Sequence, residues 1–243
     1  MIFDFLRRRS RVSERLDSVE EKVQAMFGHD RREFDLAVAA LLGDAVANDV
    51  RGELRAMDQQ VNQLEREIRR ELLVHASVFG GIDSPTVLVY MSIVKDIERV
   101  GDYAKNLLDI AVDGARLGEL PDAAEWRRVA ADVAQMIDDT GAAFRTRDGG
   151  RCRALRMHGD ALLHRCDEEV SALIRRDDPG PQAVARALAW RYVKRVVAHL
   201  MNVLSAVIMP LDRLDYFDED PEDRADHRDS PAARPGGTAH PAR

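Results

Sequence analysis

The sequence predicts an all-α protein built from two tandem up-down three-helix bundles. Three observations carry that expectation. Long stretches keep apolar residues three and four apart, the period of a helix with one buried face. The interruptions are of the kind that stops helices: Gly80-Gly81, Ser84-Pro85, Gly149-Gly150 and Asp178-Pro179-Gly180-Pro181. The third is an internal repeat. Residues 57–64 (Met-Asp-Gln-Gln-Val-Asn-Gln-Leu) return as 166–173 (Cys-Asp-Glu-Glu-Val-Ser-Ala-Leu), and 97–106 return as 193–202.

Taken in order, residues 1–12 form a short basic segment, with Arg7, Arg8, Arg9 and Arg11 after the apolar run Met1 to Leu6. Its charge follows its apolar part, the reverse of a secretory signal. Apolar residues beside arginines suit contact with an anionic membrane surface. The first repeat, 13–116, opens with Ser13 as an N-cap candidate and Leu16, Val19, Val23, Met26 and Phe27 on one face. A bend is expected near Gly28-His29-Asp30. The second helix spans roughly 47–77, with the polar line Asp58, Asn62 and Glu65 beside its apolar face.

The third helix, roughly 86–113, is the one the chain is organised around. Ser84 is expected to cap it, with Pro85 at the first helical position. Leu88, Ile93, Val94, Ile97, Val100, Ala104, Leu107, Leu108 and Ala111 form its apolar face. Glu98 and Asp102 stack one turn apart, and Asn106 and Asp109 continue the stripe. The wheel turns that stripe away from the core. It reads either as a solvated face or as a surface metal or partner site. Like charges at this spacing repel, so a basic side chain, solvent or a cation must offset them. Gly101, in mid-helix, costs roughly 1 kcal/mol against alanine and fits a place where another group comes close.

The second repeat, 117–216, has helices expected at about 122–145, 153–176 and 182–216, the last kinked or ended by Pro210. Residues 217–243, rich in Asp, Arg, Pro and Gly, read as a disordered tail.

Composition narrows the function. Of the 243 residues 45% are hydrophobic but only 5% aromatic, and the net charge of -7 argues against general nucleic-acid binding. Cys152 and Cys166 have no zinc-type spacing and imply no disulfide framework, which points to a reducing cytoplasm. No apolar run reaches the roughly 20 residues of a membrane span.

Asp58-x-x-Val61-Asn62-x-x-Glu65, followed by Asp96-x-Glu98-Arg99-x-Gly101-Asp102-x-x-x-Asn106, resembles the PhoU family of phosphate-uptake regulators. The resemblance implies a pseudo-twofold six-helix fold and a metal cluster on the outer bundle surface, with iron or zinc first and magnesium or manganese as alternatives. It places the ligands at Asp58, Glu65, Glu98 and Asp102, with Asn62 and Asn106 accessory. The second repeat departs: Ile174, Lys194 and Ala198 stand where Glu65, Glu98 and Asp102 stand, and only Asp167 keeps a carboxylate. One cluster per chain, in the first repeat, is therefore expected. His164 and His199 read as structural, and Val197, Ala198 and Leu200 as contacts if the second copy has become an interface.

The resemblance further implies a non-enzymatic regulator of phosphate transport and phosphate-dependent signalling. Its partners would be a phosphate transporter, ABC-type or symporter, and a phosphate-sensing histidine kinase. It would be a homodimer, cytoplasmic, touching the inner face of the membrane. A metal-free helical scaffold is the alternative. A metal-dependent bundle enzyme is the third reading, and the absence of Glu-x-x-His pairs, nucleophile elbow and P-loop weighs against it.

Overall fold

The computed structural model describes residues 13–79 and 83–214. The basic segment, Gly80-Gly81 and the acidic tail lie outside the described residues. Among the described residues there are six long helices and no strand: α1 (Ser13–Leu42), α2 (Ala47–Phe79), α3 (Ser84–Val112), α4 (Ala123–Thr146), α5 (Gly149–Arg175) and α6 (Ala183–Ile208). α1, α2 and α3 pack on one another, as do α4, α5 and α6, and the two units meet along α1 with α4 and α3 with α6. This is the two-repeat helical architecture the internal repeat predicts.

Several local expectations are corrected. α1 runs unbroken through Gly28, whose surroundings are open. α3 is preceded by Asp83, not Ser84, at the N-cap, although Pro85 does sit in its first turn. α5 starts at Gly149, so the Gly149-Gly150 pair lies inside the helix. The Asp148 carboxylate accepts from the backbone N–H groups of Gly150 and Arg151, both at 3.0 Å, and that cap offsets the glycines' poor propensity. α6 ends at Ile208, well short of residue 216, although its end just before Pro210 is the one the proline predicts. Leu88, assigned to the apolar face of α3, is 54% exposed.

The buried positions of α4 follow those of α1 in the same spacing. Val23, Met26, Phe27, Asp30, Glu33 and Phe34 correspond to Trp126, Val129, Ala130, Val133, Met136 and Ile137. Arg31 Nε donates to the Ala134 carbonyl at 2.9 Å, which is its own counterpart in the other unit. The local two-fold axis therefore passes through this crossing. The core is continuous across it: Trp126 and Trp190 stack at 4.1 Å in the second unit, and Tyr90 meets Phe144 edge-on at 5.9 Å between units. Val197, Ala198 and Leu200 belong to that core, with exposures of 0%, 6% and 0%, so they are not available as an interface with another molecule. Burial of the apolar face of α6 against α3 accounts for this.

Candidate functional site

The stripe on α3 is covered only at its start: Glu98 is buried, Asp102 and Asn106 are half-buried, and Asp109 is exposed. α1 and α2 close over that start, and Glu98 is only 7% exposed, as is Glu65 on α2. A wheel drawn for α3 alone allows it one neighbour, whereas it has three: α1, α2 and α6.

The two side chains that sequence reasoning missed sit directly against Gly101. A Cβ there would lie 2.9 Å from Asp30 Oδ1 and 3.0 Å from Glu33 Oε2. Glycine is what lets both α1 carboxylates converge on the α3 backbone. Asp30 and Glu33 are fully buried, and none of their four carboxylate oxygens has a hydrogen-bond partner. Their signal was available: two acids at helical spacing interrupt the stripe Val19, Val23, Met26, Phe34, Ala37. An acid on the buried stripe is rare without a partner.

Burial and mutual repulsion set the charge state. Burial first, then Glu33, Glu98, Asp102 and Asp58, hold the Asp30 carboxyl well above the usual carboxylate range. Burial, then Asp58, push Glu33 up to about 8, against the pull of Lys105 and with Asp102 adding to the rise. Glu98 is also raised, by burial first, against a hydrogen bond from Lys95. Taking a carboxylate out of water costs several kcal/mol unless a positive charge meets it. Asp30 and Glu33 are thus held as neutral acids in the arrangement seen.

Basic side chains answer the repulsion at the rim. Lys105 Nζ sits 2.5 Å from Asp58 Oδ1 and 2.8 Å from Asp102 Oδ1, bridging α2 and α3 as a bound cation would. Burial alone would lower its ammonium pKa; hydrogen bonds to Asp102 and Asp58 outweigh that and raise it. Lys95 holds Glu98 at 2.6 Å, Arg99 holds Asp102 at 3.1 Å, and Arg69 holds Glu65 at 2.9 Å. Among the described residues no three carboxylate, imidazole or thiol groups stand in metal-holding geometry.

The accessory positions separate. Asn62 Nδ2 donates to the Asp58 carbonyl at 2.9 Å, within its own helix. Asn106 lines a groove farther along α3. Asp96 leaves the stripe altogether: His199 and Asn202 on α6 both meet its Oδ1. In the second unit, Val133 and Met136 replace Asp30 and Glu33, and Lys194 pairs with Asp167 at 2.6 Å. Every acid of the cluster but one is lost there, and no orphaned carboxylate remains in that position.

Asp30 and Glu33 from α1 converge on Gly101, and Asp58, Glu65, Glu98 and Asp102 from α2 and α3 are close enough for their charges to act on this group. The PhoU domain family matches residues 23–111, the segment that holds all six. The chain carries a PhoU domain over those residues. It is 26% identical to the phosphate-specific transport system accessory protein PhoU homolog of Pseudomonas aeruginosa over 200 residues, 79% of this chain and 82% of that one. The namesake homolog of Deinococcus radiodurans is 28% identical over 196 residues, covering 75% and 87%. The crystal structure of PhoU from Pseudomonas aeruginosa has the same fold, with a TM-score of 0.70 at 24% identity over 82% of this chain and 97% of that one. PhoU proteins are accessory and regulatory proteins rather than enzymes. No described helix is long and apolar enough to cross a membrane.

Proposed function

We propose that this protein is an accessory of a phosphate transport system that regulates transport and phosphate-dependent signalling through protein contacts, with a cation site in its first unit. The names of its relatives support the transport role. The observation that supports the cation site is the pair of buried acids, Asp30 and Glu33, with four orphaned oxygens beside the Glu98 and Asp102 stripe.

The donors fit a hard cation. Asp30, Glu33, Asp58, Glu65, Glu98 and Asp102 supply oxygen only, which suits iron, manganese or magnesium and puts zinc, with its taste for nitrogen and sulfur, behind them. When bound, the cation supplies the countercharge that allows the two buried acids to ionise. Lys105 and Lys95, at 32% and 41% exposed, have room to swing outward and release Asp58, Asp102 and Glu98. The partner is a phosphate transporter or a phosphate-sensing kinase at the cytoplasmic side.

The test is the metal content of the purified full chain by plasma mass spectrometry, with Glu98→Ala/Asp102→Ala and Asp30→Asn/Glu33→Gln beside it. Retention by the wild type and loss in both variants, with helicity unchanged, is expected. Equal metal in all three sinks the site. Co-sedimentation with membranes containing the phosphate transporter of the same cell tests the partner. A metal-free adaptor is the second reading, favoured by the Lys105 bridge between Asp58 and Asp102.

A further inference from the structure

At the end of the bundle away from Ser13, a groove of about 690 Å³ opens between the last turns of α3 and the first turns of α6. Ile110, Val184, Leu188 and Tyr192 give it an apolar floor, and Asp109 and Asp113 stand on its rim. Val184 is 75% exposed and Leu188 40%. No lysine or arginine lines it. Neither rim carboxylate has a side-chain partner among the described residues. Large aliphatic side chains left open beside two unpaired acids mark a docking surface for a segment that is apolar and then basic.

The chain contains such a segment. Met1-Ile2-Phe3-Asp4-Phe5-Leu6 offers four large apolar side chains besides Met1, and Arg7, Arg8, Arg9 and Arg11 follow. Measured from Ser13, it is too short to seat in its own groove. α1 begins at Ser13, where Leu16 and Val19 lie beside Leu72 and His75. The groove lies at the other end of α1, where Leu42 meets Gly118. The 30 residues of α1 span about 45 Å. Twelve residues, fully stretched, cover at most about 40 Å, with nothing left to seat.

We propose that this groove receives residues 1–11 of a second copy of the chain. The apolar run packs on Val184, Leu188, Ile110 and Tyr192, and the arginines face Asp109 and Asp113. Exchange in both directions closes the assembly as a two-fold dimer.

A charge swap tests it on the full chain. Wild type, Asp109→Lys/Asp113→Lys, and Arg7→Glu/Arg8→Glu/Arg9→Glu are weighed by light scattering after gel filtration, with circular dichroism confirming that each is folded. The wild type should be dimeric at micromolar concentration. Each variant alone should dissociate, with affinity weakened roughly tenfold or more. Mixed, the two variants should form a heterodimer, because each segment then meets a groove of opposite charge. A wild type that stays monomeric overturns the proposal, as do variants that dimerise as well as the wild type or a mixture that stays monomeric. Binding of residues 1–11 to anionic phosphatidylglycerol vesicles by a monomeric wild type overturns it in favour of the membrane.

Discussion

His199 Nδ1 on α6 lies 2.9 Å from Asp96 Oδ1 on α3, and the imidazole stacks on Tyr103 at 5.6 Å. The pair joins the two units at a part-buried point, and Asn202 Nδ2 reaches the same oxygen at 3.0 Å. Asp96 belongs to the motif on which the family resemblance rests, yet its work is to tie the repeats together. Asp96→Ala should leave two donors unmet and cost about 1–3 kcal/mol. Urea unfolding would show it as a lower midpoint, with the metal content of the first unit unchanged.

Glu33 makes the stability of the metal-free chain depend on pH. Its folded value is about 8, above its ordinary value of 4.5. The stabilisation of the neutral acid is thus fully present below pH 4.5 and is lost as pH rises through 8. In the presence of chelator, stability should fall by up to about 1.4 kcal/mol per pH unit within that window. Glu33→Gln should flatten the decline in thermal melts between pH 6 and 8.5, and an unchanged slope would place the cause elsewhere.

Lys105→Gln should act with opposite sign in the two states. Without metal, Asp58 and Asp102 lose their bridging ammonium, and the chain should lose about 1 kcal/mol, since the lysine is partly exposed. With metal, the same change removes a competitor, so the cation should bind more tightly. Paired melts with and without added Mn²⁺ or Fe²⁺ read both effects. A loss of stability in both conditions would favour the metal-free adaptor.

Gly118→Ala should be far worse than Gly159→Ala. A Cβ at Gly118 would fall 1.7 Å from the Leu42 carbonyl oxygen, a backbone atom that cannot step aside without moving the end of α1. At Gly159 the obstacles are the Met201 and Met136 side-chain ends, which are flexible. We expect a loss of about 3 kcal/mol or more for the first and about 1 kcal/mol for the second, measured by chemical denaturation.

The two thiols should be inert in the folded chain. Burial first pushes Cys152 up to about 11 and Cys166 up to about 12, so little thiolate exists at pH 8. A disulfide reagent should label neither within minutes under native conditions and both at once in denaturant.

Much of the molecule was legible in the chain. Apolar residues at helical spacing, broken by Gly and Pro, fix six helices, because those signals act within a few residues of one another. The repeat of 57–64 at 166–173 fixes their arrangement in two units, and Glu98 with Asp102 shares a face because helical spacing requires it. Tertiary packing decided what that face meets. Whether the stripe faced water depended on how α1 and α2 lie against α3, and a wheel drawn for one helix is blind to that. Asp30 and Glu33 converge on Gly101 from a segment some seventy residues earlier, through an inter-helix register that no short spacing encodes. Lys105 likewise reaches Asp58 on α2, 47 residues earlier. Local pattern sets which residues share a helix face; only the close packing of three helices sets which faces share a site.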